Sequence, residues 1–394
     1  MGQTIHHKDN NVTNNLFNDP TLLSGVRVLD FTRVLAGPYA SMHLADHGAD
    51  VVKVEHPVHG DDTRSYGPPF KDGVSTYFLS VNRGKRSVAL DLKDEDKQDI
   101  ARRLALAADV VIENFRPGVM DRCGLGADQL RAEKPSLVYC SIRAFADPDD
   151  PRPGYDLMMQ GLSGIPSLTG PVDGAPYKCG ASIADMASGM HAVQAICAAL
   201  FRRERTGQGA SLVVPLMDAQ RSLLSYHAGA YLNAGQEPRR YGNHHPSIYP
   251  FGVYPTEDGH LCLCIGNDSL WRQFCVAVGD PARAADPRYE HNRQRVAARA
   301  ALDEWLHALL ATQPLRHWLH LLTQAGIPAG PMATVPEALA DAQPVSHPHP
   351  STGEPVYSLP IPILVDGTRP VARSGPAALG ADTAAVFEEW LRDN

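Results

Sequence analysis

The first half of this chain predicts an α/β fold built on a mostly parallel sheet, and the second half predicts a smaller α+β domain. Three observations carry this. Short apolar, β-branched runs alternate with helical periodicity from Val26 to Leu216. After Asn233 the composition shifts to turn-rich loops and a hairpin signature. At 394 residues the chain is long for one core and suggests two domains.

The elements follow in order. Val26–Phe31 reads as a strand, Ala36-Gly37-Pro38 as a turn, Tyr39–His47 as a helix and Ala49–Glu55 as the next strand. This is a βαβ unit with Glu55 at its second strand's end. Its first turn has one glycine where a dinucleotide loop has three, so a bound pyrophosphate of the NAD or FAD type is not expected. Ser87–Leu92 is a strand, Asp94 caps a helix to Ala107, and Asp109–Phe115 and Ser136–Ile142 are further strands. Ligands of such sheets bind beyond the carboxyl ends of strands. Those ends carry Arg33, Arg116, Arg122 and Arg143, a repetition that favours an anionic ligand.

From Met186 to Phe201 apolar residues recur at helical spacing, and Gly207 and Gly209 can stop that helix. Asp185 stands at its start, in Gly180-Ala181-Ser182-Ile183-Ala184-Asp185-Met186. Read locally, Asp185 is an N-cap, worth roughly 1 kcal/mol. The same place favours an ionised carboxylate, which is what a nucleophile needs. Ser211–Leu216 is another strand and Asp218–Asn233 a helix. Tyr241–Ser247 is a loop with His244 and His245, a surface pair or a substrate gate. Gly252–Ile265 is a hairpin turning at Asp258-Gly259, on which Cys262 and Cys264 share a face. Helical patterns fill Leu270–Val278 and Arg293–Ala325. Short strands in a Pro-rich tail and an Asp382–Leu391 helix complete the chain. The domain expectation is a polar leader at 1–20, a large domain at 21–225, a small one at 226–330, and a returning segment at 331–394.

Composition excludes several classes. The net charge of −8 argues against nucleic acid or an anionic membrane as partner. No apolar run approaches the ~18 residues of a membrane span. Seven cysteines without metal-ligand spacing predict free thiols, a cytoplasmic location and no metal.

Several motifs resemble the class III (CaiB/BaiF) coenzyme A transferases. They are Gly25–Phe31 with Ala36-Gly37-Pro38, Gly48–Glu55, Asn82–Ser87, Glu113–Gly118, Gly154-Tyr155-Asp156, Thr206–Gly209 and Gly326–Pro331. The resemblance covers about residues 23–390. It implies a Rossmann-like large domain, an inserted smaller domain and an interlocked homodimer. It places the acid nucleophile on Asp185 and coenzyme A, the co-substrate, against Val34, Leu35, Ala36, His56, Leu90 and Leu92. Lys93, Asn114, Phe115, Arg122 and Arg143 complete that set. Tyr155, Asp156, His244, His245 and Arg64 are the candidates for the acid substrate. Leu35 stands where formyl-CoA transferases tend to have Gln, and Asn243–Pro246 where they have a Gly-rich loop, which argues against oxalate. Gly60–Arg64, Gly67–Phe70, Ser75–Tyr77 and Ser247-Ile248 are similar to succinyl-CoA:glutarate and mesaconate-type enzymes.

The implied reaction moves coenzyme A from a dicarboxylyl-CoA to a small dicarboxylate through an aspartyl anhydride and an aspartyl-CoA thioester. Two alternatives stand beside it. An α-methylacyl-CoA racemase would need a base at Tyr155, and a phenol is a poor one at neutral pH. A silent acyl-CoA-binding subunit is disfavoured by an intact Asp185.

Overall fold

The computed structural model describes residues 21–150 and 152–392; the leader expected at 1–20 lies outside them. The first elements are β1 (Arg27–Asp30), α1 (Ala36–Asp46), β2 (Asp50–Glu55), β3 (Lys85–Ala89), α2 (Glu95–Ala107) and β4 (Val110–Glu113). After them come β5 (Val138–Arg143), α3 (Asp156–Ser163), α4 (Ile183–Thr206) and β6 (Ser211–Pro215). The six strands form one sheet in the order β3-β2-β1-β4-β5-β6. Every pairing is parallel, with Val28 opposite Val51 and Val110, and Ile142 opposite Val214. This is the strand order of a doubly wound, Rossmann-type sheet.

Side-chain alternation along the strands divides the core between the two faces. Val28, Val51, Val110, Ile112 and Cys140 pack with Ala40 and Leu44 of α1 and Ala192 and Ile196 of α4. Leu29, Val52, Val111 and Tyr139 pack with Leu104 of α2 and with Val386 and Trp390 of the C-terminal helix Thr383–Leu391. Both faces are therefore covered, as a parallel sheet requires.

The chain divides into two compact units. One comprises the chain up to Leu162, Ala181–Ser222 and the chain from Gln343; the other is Ser163–Gly180 with Leu223–Ala342. The second unit thus gains a segment that local reading could not separate from the first, and it ends later than 330. It holds a three-stranded antiparallel sheet of Phe251–Pro255, His260–Cys264 and Ala329–Pro331. Leu261, Leu263, Trp271, Phe274, Leu306 and Trp318 form its core.

Several boundaries differ from expectation for physical reasons. The helix expected from Tyr39 begins at Ala36, so Ala36-Gly37-Pro38 is its first turn rather than a separate turn. Pro38 fits there because first-turn N–H groups have no partner within the helix. The expected Asp218–Asn233 helix is two, Leu216–Ser222 and Ser225–Ala234, broken where Ser225 takes φ +43°. The Arg293–Ala325 pattern is likewise three helices. The hairpin closes through Thr256–Gly259, four residues rather than two. Finally, α4 has the length and mean hydropathy of a membrane span, which the sequence reading missed. It is packed on the sheet instead, with Ala184, Ala187, Ser188, Gly189, Ala192 and Ile196 buried.

Candidate active site

In a parallel sheet the connecting helices run against the strands, so the starts of α1 and α4 both lie at the carboxyl ends. The strand order reverses direction between β1 and β4, which is where such sheets open a crevice. The loop leaving β1 borders it and is tied down atom by atom. Thr32 N–H donates to Asp30 Oδ1 at 2.8 Å, and the Thr32 carbonyl accepts from Lys53 Nζ at 2.7 Å. Arg33 N–H donates to Asn114 Oδ1 at 2.9 Å, while Asn114 Nδ2 donates back to the Arg33 carbonyl at 2.8 Å. Val34 N–H donates to Asp61 Oδ1 at 3.3 Å, and Val34 takes φ +70°, unusual for a β-branched residue. Leu35, the N-cap of α1, offers no side-chain cap. Gly37 is required: a Cβ there would stand 2.2 Å from Thr32 Cβ.

α4 meets the first turn of α1, which follows this loop, through Gly189, where an added Cβ would stand 2.8 Å from the Ala36 carbonyl oxygen. Asp185 lies one turn earlier, as the third residue of α4. It is not the cap. That role belongs to Asp156 on α3, whose Oδ1 accepts Ala184 N–H at 3.0 Å. Gln160 holds the cap in place, donating to Asp156 Oδ2 at 2.8 Å and to the Ala181 carbonyl at 3.2 Å. Among the described residues no hydrogen bond reaches the Asp185 carboxylate. Burial, reinforced by the Asp156 charge, pushes its pKa up to about 7. The helix dipole favours the ionised carboxylate, whereas desolvation and the like charge of Asp156 work against it and raise the pKa. A partly desolvated carboxylate with a raised pKa is a better base and nucleophile than a free one, and such perturbed acids are candidates for reactive sites.

Tyr77 is the neighbour that sequence reasoning overlooked, except as part of a motif. Burial and then the Asp185 charge raise its pKa to about 12, so it stays a neutral donor. With Tyr66, Gly67, Pro68, Pro69, Thr76 and Ser80 it lines a cavity of about 500 Å³. A second cavity of about 330 Å³ brings Arg116 and Arg143 together with Glu113, Tyr139 and Ser141. Among the described residues, the buried Arg143 Nε has no hydrogen-bond partner.

The remaining expected residues divide into accessible and committed. Leu35, Leu92 and Phe115 are partly exposed beyond strand ends; Lys93 and Arg122 are exposed. The His56 ring stacks on His59 at 3.8 Å. Leu90 and Ala36 are 3% and 5% exposed, which leaves only their backbones to face a ligand. Asn114 is occupied in holding Arg33. Arg64 was expected to meet a substrate carboxylate, and it does not stand free. Its Nε and Nη2 bind Glu55 at 2.8 and 2.7 Å, Nη2 also reaches the Ala377 carbonyl, and its guanidinium covers the Phe78 ring. Asp156 is committed as the cap, whereas Tyr155 is exposed. His244 and His245 belong to the second unit. His245 Nδ1 accepts from the N–H groups of Ser247 and Ile248, both at 3.1 Å, while the buried His244 Nδ1 has no hydrogen-bond partner among the described residues.

Comparison with known proteins adds four findings. Residues 23–383 match the family model described as CoA-transferase family III. The chain is 42% identical over 329 residues to a succinate–glutarate CoA-transferase of Agrobacterium fabrum, covering 82% of each chain. It is also 42% identical over 317 residues to an acetyl-CoA:oxalate CoA-transferase of Acetobacter aceti, covering 80% of this chain and 81% of that one. A CaiB/BaiF family protein from Brucella suis superposes with a TM-score of 0.82 at 38% identity, over 94% of this chain and 100% of that one.

Proposed function

From the premise that the chain belongs to CoA-transferase family III, we propose that it moves coenzyme A from succinyl-CoA or a similar dicarboxylyl-CoA to a C4–C6 dicarboxylate, with Asp185 as the nucleophile. The observation that carries this is the Asp185 carboxylate, partly buried and, among the described residues, without a hydrogen bond, in the first turn of a helix that starts at the carboxyl end of the sheet.

The steps balance without ATP. Asp185 Oδ attacks the donor thioester carbonyl, the C–S bond breaks, and coenzyme A leaves as the thiolate, which leaves a mixed anhydride. The thiolate attacks the aspartyl carbonyl and expels succinate, giving an aspartyl-CoA thioester. The acceptor carboxylate attacks that thioester and releases the thiolate. The thiolate then takes the acceptor's acyl group from the new anhydride and restores Asp185. Each addition develops an oxyanion. The neutral Tyr77 hydroxyl and the first-turn N–H groups of α1 are the donors that could meet it. In its ionised form, favoured above its pKa of about 7, Asp185 needs no proton relay, since each attacking group then enters as an anion.

The substrate class rests on two supports. The relatives named above act, by name, on glutarate and on oxalate, both dicarboxylates. The likeness in Gly60–Phe70 and Ser247-Ile248, with Leu35 in place of Gln, favours the longer acids. Coenzyme A would lie along Val34–Ala36, Asn114–Phe115 and the Arg143 cavity. We also propose a homodimer. Tyr155, Leu157, Met158 and Leu162 on and before α3, and Met190 and Phe201 on α4, expose 38–67% of their surface, which suits burial by a second copy. Light scattering on the eluting protein tests this; a monomer at micromolar concentration contradicts it.

The substrate test is a screen of purified protein with succinyl-CoA against glutarate, mesaconate, itaconate, oxalate, butyrate and phenylacetate, with products read by mass spectrometry. Dicarboxylates of four to six carbons should give the highest kcat/KM. Equal turnover of the monocarboxylates contradicts the substrate class while leaving the transferase reaction standing.

A further inference from the structure

Lys53 is a lone cation inside the apolar run Val51–Val54 of β2, and it is 1% exposed. Burying an ammonium costs several kcal/mol unless it is paired. Its partners show what it serves. Nζ donates to the Thr32 carbonyl at 2.7 Å and pairs with Asp61 Oδ2 at 2.9 Å. Asp61, also 1% exposed, uses its other oxygen to accept from Val34 N–H, Thr63 N–H and Thr63 Oγ1. Glu55 in turn accepts Asp61 N–H at 3.0 Å. The pair thus grips the loop after β1 at two points, one on each side of Arg33. Neither Nζ bond runs to the sheet's own backbone ladder. β2 is already paired on both sides, with β3 and β1, so the sheet does not need the pair, whereas the loop it holds carries the left-handed Val34.

We infer that Lys53, acting with Asp61, is a positioning residue that holds Thr32–Val34 in the shape that receives coenzyme A. The inference rests on the proposed coenzyme A crevice and deepens it. Release of the grip frees the Thr32 carbonyl and Val34 N–H, and Val34 returns to negative φ, which moves the backbone that faces the ligand. The effect should fall on coenzyme A affinity and not on the acceptor acid.

The test has three arms. The first is titration calorimetry of coenzyme A into wild type: no heat of binding would overturn the crevice itself, separately from the inference. The second compares Lys53→Met and Lys53→Arg, with the double variant Lys53→Met/Asp61→Asn in case an unpaired Asp61 prevents folding. Folded variants should bind coenzyme A about tenfold or more weakly, with the KM for glutarate nearly unchanged and partial recovery in Lys53→Arg. Unchanged coenzyme A affinity in a folded variant, or an equal loss of affinity for both substrates, would overturn the inference. The third arm is hydrogen exchange on ligand-free wild type. Thr32 and Val34 amides should be protected as strongly as those of β2; exchange at the rate of an exposed loop would overturn it regardless of how the variants fold.

Discussion

The loop Thr32–Val34 and the first turn of α4 border the same end of the sheet, yet they are built in opposite ways. In the loop, five successive backbone polar groups are each held by a side chain from elsewhere in the chain. At the helix start the backbone is capped by Asp156, while the Asp185 carboxylate is left without a hydrogen bond among the described residues. Under the proposed function the difference is a division of labour. A loop that is to receive a ligand gains from being held in place, because ordering it during binding would cost affinity. A carboxylate that is to attack gains from few hydrogen bonds, because each one it accepted would lower its basicity.

Variants can break this contrast at its strongest point first. Asp185→Ala should lose on the order of 10³-fold or more in kcat while the far-ultraviolet spectrum and coenzyme A binding persist. Steady-state assays alongside calorimetry check both halves. A loss of binding together with rate would instead place Asp185 in the rigid receiving surface. Tyr77→Phe removes the neutral donor that feels the Asp185 charge. A fall of roughly 10- to 100-fold in kcat is expected, with the KM for acyl-CoA little changed.

Asp156→Asn sharpens the contrast, since it keeps an acceptor for Ala184 N–H and removes the neighbouring charge. The acid limb of kcat/KM, expected near Asp185's pKa of about 7, should move to lower pH by less than a unit. The shift is small because burial is the larger cause. A limb that does not move would show that Asp156 acts as a cap alone.

Stability provides the smallest effect. Asp185 holds its proton in the folded state up to about pH 7, whereas an unfolded aspartate loses it near 3.8. Between those values the folded state binds more protons, so wild-type stability falls as pH rises. Asp185→Asn should match wild type at pH 4 and exceed it by about 1–2 kcal/mol at pH 8. Urea unfolding at the two pH values checks this; a gain at pH 4 equal to that at pH 8 would contradict the raised pKa.

Much of the large unit was legible in the sequence, because strands buried on both faces show as continuous apolar runs and Asp94 caps its helix locally. Breaks that depend on one backbone angle, such as Ser225, carried no such mark. Asp185 was legible as a reactive candidate, but its environment was not. The cap of its helix comes from Asp156, 28 residues earlier, and a local reading therefore assigned the cap to the wrong carboxylate. Arg64 misled for a similar reason: Glu55, nine residues before it, claims its guanidinium. Lys53 did leave a signal, a lone charge within an apolar strand, whose partner Asp61 only the fold reveals.

The central claim is that the bare carboxylate of Asp185 carries the transferred group. Peptide mapping by mass spectrometry, after incubation with succinyl-CoA and trapping with hydroxylamine or borohydride, tests it most directly. The expected result is a hydroxamate or an alcohol at Asp185 that is absent without succinyl-CoA. An unmodified Asp185 peptide from enzyme that is turning over would contradict the covalent account.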